Sequence, residues 1–273
     1  MDAIRLKGWQ TVVLVLGFGF FYLPIAWIIG FSFMGDLSAL GEGRVSLHWY
    51  RALMDNDQLQ SAAYRSLYLA LLSSAIATVL GTLAGISLAR IPAFFGRGLL
   101  IALMAVPIFA PEVLLGFSFL MLFAGLQSLV GWPHGKDLAT LVIAHATLGT
   151  PIVASVVFAR VAGRDHALED AARDLGARPW RVLRTITIPL AAPGIVSGGL
   201  LATTLSFDDI VTSSFLAGPE NSTLPMAIFS SLHVGLDPQI NAVGTLMLAA
   251  VSTLVMGSLA IIASRNRRAR SAM

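Results

Sequence analysis

The stretch LEDAARDLGARPWRVLRTITIP, from Leu168 to Pro189, combines dense charge with a helical pattern of apolar residues. The apolar residues recur at the spacing of one helix face: Leu168, Ala171, Ala172 and Leu175. Gly176 then tolerates the positive φ found beyond many helix ends, and Pro179 suits the first turn of a second helix. The stretch therefore predicts two short helices joined by a glycine turn outside a membrane. Pro189 predicts a further break before the next apolar segment.

The composition on either side of this stretch is that of a membrane protein. Hydrophobic residues make up 56% of the chain and charged residues 12%, against roughly 45–50% and 25% in an average soluble domain. We expect one membrane domain over 1–273, with a core at about 64–263 and a loop at 163–189. The chain has no cysteine, which excludes disulfides and thiolate metal sites.

Six apolar stretches are long enough to cross a bilayer as helices. They are Thr11–Phe33, Tyr64–Arg90, Leu99–Leu126, Leu138–Ala162, Leu190–Phe207 and Ile240–Ala263. The sequence thus predicts an all-α membrane protein with six transmembrane helices. The first stretch is too long for the apolar region of a signal peptide, so we expect it to be retained.

Proline and glycine predict where these spans bend or pack closely. Pro107 and Pro111 are expected to bend the third span, and Pro151 the fourth. Gly81 and Gly85 form a pair in the second span that would let another helix approach its backbone.

Positive charge predicts the orientation, because cytoplasmic loops carry an excess of Lys and Arg. With the N-terminus in the cytoplasm, 14 of the 18 basic residues fall on the cytoplasmic side. These are Arg5, Lys7, Arg90, Arg97, Arg160, Arg164, Arg173, Arg178, Arg181, Arg184, Arg265, Arg267, Arg268 and Arg270. The other four are Arg44, Arg51, Arg65 and Lys136. Both termini and the stretch around Gly176 are therefore predicted to be cytoplasmic.

The spacing in the opening stretch resembles the EAA loop of ABC importer permeases, which has Glu-Ala-Ala, three residues, Gly, nine residues and Ile-x-Leu-Pro. Here Asp170 stands in place of the usual Glu and Ile188 in place of Leu. The resemblance implies a coupling helix between spans four and five that docks into a groove of an ATPase subunit. The residues it assigns to ATPase coupling are Glu169, Asp170, Ala171, Ala172, Gly176, Ile186 and Pro189.

Three acidic residues are candidates for a cation path. Glu112 is the one acid that the predicted spans place in their interior, where an ionisable residue is costly and indicates function. Asp208 and Asp209 end the fifth span on the predicted outer side, and a cationic substrate would relieve their mutual repulsion. The alternatives are that Glu112 bonds a neighbouring helix and that the Asp pair caps the loop. His145, in an apolar run, is expected to be packed and hydrogen-bonded rather than a ligand.

Sequence motifs beyond Leu205 resemble the second permease subunit of spermidine/putrescine importers. They are LSFDD at 205–209, SSFLAGP at 213–219, TLPM at 223–226, and Pro111-Glu112 followed by Gly116. The resemblance implies a MetI-like type I importer fold in a bacterial inner membrane, with a polyamine as substrate. The implied partners are an ABC ATPase dimer, a second permease subunit and a periplasmic binding protein. Iron and thiosulfate-type permeases are close relatives of that group, so another solute is an alternative substrate.

The sequence carries no ATP-binding loop of its own. Neither of its two lysines, Lys7 and Lys136, follows a Gly-x-x-x-x-Gly frame. We therefore expect a transport subunit rather than an enzyme, without a cofactor or metal, and ATP bound by a partner ATPase. The alternative is a secondary transporter, which needs no ATPase. Many such transporters contain inverted repeats, and the sequence displays none. An intramembrane enzyme would need a cluster of catalytic side chains inside the spans.

Overall fold

The computed structural model describes residues 8–34, 45–164, 167–234 and 238–271. Arg5, Lys7, Arg44 and the loop positions 165 and 166 therefore lie outside the described residues. The described helices are α1 (Gly8–Ser32), α2 (His48–Met54), α3 (Asp57–Arg90), α4 (Arg97–Phe109), α5 (Glu112–Val130), α6 (Leu138–Ala162), α7 (Ala167–Asp174), α8 (Pro179–Val182), α9 (Ile188–Asp208), α10 (Val211–Leu216), α11 (Leu224–Val234) and α12 (Gln239–Ser271). A π-helical segment, Leu183–Thr187, joins α8 to α9, and a short 3-10 turn covers Pro219–Asn221.

Six described helical stretches are long and apolar enough to cross a bilayer, which confirms the predicted number. They are Gly8–Ser32, Asp57–Arg90, Glu112–Val130, Leu138–Ala162, Pro179–Asp208 and Gln239–Gly257. The chain is therefore a multi-pass, almost wholly helical membrane protein.

The third predicted span, Leu99–Leu126, is wrong as a single helix. The chain breaks between α4 and α5, where Ala110 is extended at φ −77° and ψ 143°. The physical reason is Pro111, whose ring disfavours the helical conformation of the preceding residue and whose nitrogen has no proton to donate. Only α5 has the length of a span, and Glu112 is its first residue rather than an acid inside a continuous helix.

The break predicted at Pro189 is also absent. Helical structure continues from Pro179 to Asp208, because the π-helical segment adjusts the backbone just ahead of the proline. There the N–H of Ile188 bonds to the carbonyl of Leu183, five residues back. Pro189 then lies in the first turn of α9, where a missing N–H is tolerated. Pro151 is likewise accommodated inside the continuous helix α6.

The chain forms two compact units, Met1–Gln60 with Ser230–Leu254, and Ser61–Phe229 with Val255–Met273. In the first unit, Ser32 Oγ lies 2.8 Å from Tyr50 Oη, and the Trp49 indole donates to the Met34 carbonyl. These contacts fasten the end of α1 to α2.

The second unit is built around α6, which packs chiefly against α9. Small residues bring the helices close together: a Cβ on Gly85 would lie 2.6 Å from the Ala154 carbonyl oxygen, and one on Gly81 2.6 Å from Val153 Cβ. The predicted close approach at this glycine pair is thus confirmed, with α6 as the partner of α3. Val153 and Val157 are fully buried at this contact.

Candidate functional site

A cavity of about 280 Å³ lies in the second unit, between the α4–α5 junction, α6 and the α9–α10 junction. Its volume is near the lower end of the roughly 300–1,000 Å³ typical of small-molecule sites. All three acids proposed from sequence line it: Glu112, Asp208 and Asp209. Two helical junctions far apart in sequence therefore bring negative charge to one place beside α6.

The cavity lies well along α6 rather than at its end. Its lining on this helix runs from His145 to Ile152. At 1.5 Å per residue these positions are about 10–20 Å from the first residue of a helix that is 25 residues long. Asp208 and Asp209 reach this depth because α9 ends at Asp208 and the chain turns directly into α10. The acids therefore line the cavity at the level of the middle of α6.

The two neighbouring aspartates have different surroundings. Asp208 is exposed at the last position of α9. Asp209 is turned inward, and its Oδ1 accepts the N–H of Thr212, which caps the start of α10. Its Oδ2 is buried without a partner in hydrogen-bond geometry among the described residues. Asp209 thus combines the capping role with a second carboxylate oxygen that is buried beside the cavity.

His145 lies beside Asp209 at the centre of a buried polar chain. Its Nδ1 is 2.7 Å from Ser206 Oγ, and its Nε2 is 3.2 Å from Ser213 Oγ and 3.3 Å from Asp209 Oδ2. Ser206 Oγ in turn lies 3.0 Å from Ser73 Oγ of α3. The chain of contacts connects α3, α6, α9 and α10, which confirms that His145 is packed and hydrogen-bonded. Its position at the cavity was not predicted, since the motifs that contain Ser206 and Ser213 do not indicate a histidine partner.

Glu112 is exposed at the first turn of α5. A carboxylate is favourable there because the N-terminal end of a helix carries partial positive charge. Four residues on, Gly116 allows α10 to pack closely, since a Cβ at that position would lie 2.6 Å from the Phe215 ring. The Pro-Glu and Gly elements of this motif therefore place Glu112 at the cavity and hold α5 against α10.

The predicted glycine turn after α7 is present. Gly176 has φ +82°, and its N–H bonds to the carbonyl of Arg173 while the N–H of Ala177 bonds to that of Ala172. This pair of bonds satisfies the last carbonyls of α7 in the pattern known as a Schellman motif. Pro179 opens α8, as predicted.

The residues proposed for coupling are divided between two faces of this segment. Asp170, Ala171 and Pro189 are exposed, whereas Ala172 and Ile186 are half-buried. Glu169 is 1% exposed and faces the protein interior. The predicted apolar face is turned outward, with Leu168 62% and Leu175 90% exposed.

No group of three or more potential metal-binding side chains occurs within the part of the chain that the structure describes. The chemistry available at the cavity is therefore that of carboxylates, one imidazole and several hydroxyl groups. Such a set can bind a cation and donate or accept hydrogen bonds.

The known proteins that this chain resembles in sequence include membrane components of transport systems. Residues 77–268 match the family of binding-protein-dependent transport system inner membrane components. The chain is 40% identical over 243 residues to the putrescine transport system permease protein PotI of Escherichia coli K12, covering 89% of this chain and 86% of that protein. It is 34% identical over 252 residues to the spermidine/putrescine transport system permease protein PotC of the same organism, covering 92% and 91%.

A solved structure of the MetNI methionine ABC transporter, in an inward-facing conformation, has a chain with the same fold. The TM-score is 0.62 at 16% identity, over 76% of this chain and 95% of that one. At this identity the likeness is one of fold alone.

Proposed function

The chain belongs to the family of binding-protein-dependent transport system inner membrane components, the permeases of ABC importers, and we propose that its transported solute is a polyamine such as putrescine or spermidine. The observation that carries the proposal is the convergence of Glu112, Asp208 and Asp209 on one cavity. Polyamines are flexible chains with separated ammonium groups, so two or three spaced carboxylates suit them. Two relatives over nearly the whole chain have names that include putrescine.

The charged and the apolar residues of the lining would contact different parts of the solute. The exposed carboxylates of Asp208 and Glu112 would bind ammonium groups, and the largely buried carboxylate of Asp209 would add negative charge from the cavity wall. The apolar part of the lining, including Leu115, Leu148 and Ile152, would contact the methylene groups. An uncharged solute of the same length would leave the acids unsatisfied.

We assign the segment around α7 to the ATPase contact. Three large apolar side chains are exposed there: Leu168, Leu175 and, at 69%, Trp180. Leu168 and Leu175 lie outside the six apolar stretches and Trp180 lies at the start of the fifth, so their exposure favours a protein partner. Asp170 and Ala171 lie on the accessible surface of the same helix, and the Gly176 turn fixes the angle at which the segment is presented.

The complex we propose pairs this chain with a second permease subunit, an ABC ATPase dimer that binds ATP, and a periplasmic binding protein. The chain itself would bind no cofactor and perform no catalysis. Its place would be the bacterial inner membrane, with both termini in the cytoplasm, as the distribution of Lys and Arg favours. ATP-driven closure of the ATPases would move the α7 segment and open the cavity alternately to the two sides. Because the chain belongs to this family of ABC importer permeases, there is no reason to prefer an ATPase-independent transporter.

The test is uptake by cells that lack other polyamine importers and express the complete complex. Labelled putrescine and spermidine should accumulate in an ATP-dependent manner, and an excess of unlabelled polyamine should compete. A neutral diol of matched length should not compete. Uptake of a different solute, with polyamines neither accumulated nor competing, would overturn the substrate assignment and leave the importer family intact.

A further inference from the structure

Two consecutive acids in α7 have opposite environments. Asp170 has 58% of its side chain exposed and pairs on the surface with Arg173, at 2.8 Å. Glu169 has 2% of its side chain exposed. One residue of offset turns a helix by about 100°, so the two carboxylates serve different sides of the segment.

Glu169 connects α7 to two long helices through one oxygen. Its Oε1 lies 3.1 Å from Nη2 of Arg90, the last residue of α3, and that arginine side chain is only 9% exposed. The same Oε1 accepts a hydrogen bond of 2.8 Å from the hydroxyl of Thr187. Thr187 ends the π-helical segment that leads into α9. The ends of α3 and α9 therefore meet at a single carboxylate from α7.

Because they are buried, the Glu169 contacts are harder to break than the surface pair of Asp170 and Arg173. An exposed ion pair contributes little because water and salt screen it. A buried pair is expensive to break, because the remaining charge is left without compensation. Since α7 otherwise packs mainly against α8 and the π-helical segment, the Glu169 contacts are its polar connection to α3.

We propose that Glu169 is a positioning residue that transmits the displacement of α7 to α3 and α9. The inference rests on the proposed role of α7 as the ATPase-docking element, and it separates the two acids by task. Asp170 faces the partner, whereas Glu169 carries the movement inward. Because α9 ends at Asp208 beside the cavity, a shift at Thr187 would reach the cavity along one continuous helix.

The experiment compares Glu169→Gln with Asp170→Asn in the purified complex. The chain has no cysteine, so a single Leu205→Cys provides a thiol probe on α9 at the cavity. The measurement is the change in its labelling rate when ATP and vanadate trap the closed ATPases. Glu169→Gln should keep the ATPase bound and reduce this change at least about fivefold. Asp170→Asn should instead lower ATPase co-purification.

A second variant separates transmission from folding. The double change Arg90→Gln with Glu169→Gln leaves no unpaired buried charge, so it should accumulate at the parental level and still lack the ATP-dependent labelling change. The proposal is overturned if Glu169→Gln or the double variant labels like the parent on trapping, or if Glu169→Gln loses the ATPase as Asp170→Asn does. The thiol readout needs no transported solute, so failure of the polyamine assignment would not affect it. If neither Asp170→Asn nor Gly176→Val affects ATPase binding, the docking assignment fails instead.

Discussion

His145 Nε2 lies 3.3 Å from Asp209 Oδ2. This contact connects α6 to the junction of α9 and α10. The imidazole is 1% exposed and the carboxylate 13%. The contact matters because Asp209 belongs to the cavity and also caps α10. The position of one candidate substrate ligand is therefore set by a buried side chain 64 residues earlier in the chain.

The first prediction concerns this contact. In His145→Gln the amide can replace Nε2 and still reach Asp209, whereas in His145→Asn it can replace only Nδ1. We expect His145→Asn to reduce polyamine uptake by about fivefold or more and His145→Gln to retain most of it. In an Asp209→Asn background the two variants should differ by less than about twofold, because coupled residues are not additive. Equal uptake by both single variants would argue against the positioning role.

The second prediction concerns the negative charge of the cavity. Asp209→Asn keeps the size of the side chain and removes its charge. In a partly buried site we expect a net loss of about 1–2 kcal/mol, or about 5- to 30-fold in transport efficiency. Asp208→Asn and Glu112→Gln should have smaller effects, because both side chains are exposed and water screens them. Uptake of labelled spermidine should suffer more than that of putrescine, since spermidine carries more charge.

The control for this series is expression level and ATPase co-purification, which none of the three changes should alter. Parental uptake in both Asp208→Asn and Asp209→Asn would show that the acids do not select the solute.

The third prediction concerns the turn after α7. Gly176 has φ +82°, a conformation that a β-branched residue rarely adopts. Gly176→Val should therefore distort the turn, leaving the protein in the membrane with little bound ATPase and little transport. Gly17→Val is the control, since nothing lies within 4 Å of a Cβ at that position. Normal ATPase binding by Gly176→Val would contradict the proposed role of this turn in ATPase docking.

The fourth prediction concerns helix packing. Gly85→Ala would bring a methyl group to 2.6 Å from a backbone oxygen of α6 and 3.1 Å from the backbone nitrogen of Phe158. Since backbone atoms cannot rotate away, α3 and α6 must separate, at a cost of about 1–3 kcal/mol. We expect a lower midpoint of thermal unfolding in detergent. Gly125→Ala, with open space around it, should unfold like the parent, and a matching shift in both variants would contradict the packing argument.

The fifth prediction concerns orientation in the membrane. Single cysteines at Glu220, which is exposed after α10, and at Ser271 are expected on opposite sides. An impermeant thiol reagent added to intact cells should label Glu220→Cys and not Ser271→Cys. Permeabilised cells should label at both positions. Labelling of Ser271→Cys in intact cells would invert the topology derived from Lys and Arg.

Local and compositional properties were accessible from the sequence. The number of spans follows from apolar length, because a bilayer core of about 30 Å demands it. The turn at Gly176 follows from the conformational freedom of glycine. Glu112 stood out because charge is costly inside a membrane, and Asp208 and Asp209 stood out because two adjacent carboxylates repel each other. Sequence even grouped Glu112 with Asp208 and Asp209, although its reason for doing so, an acid inside an unbroken third span, was wrong.

Tertiary structure alone decided which neighbours these residues have. Glu169 and Asp170 are adjacent acids. Nothing in the local sequence indicates that Arg90, 79 positions earlier, forms a buried ion pair with Glu169. His145 meets Asp209 only because α6 packs against α9 and the chain turns sharply at Asp208. In a membrane protein, apolar residues face lipid as well as other helices, so periodicity cannot tell a packed face from an exposed one. In the second unit, close backbone contacts at Gly81, Gly85 and Gly116 identify the packed faces, because they hold α3 against α6 and α5 against α10.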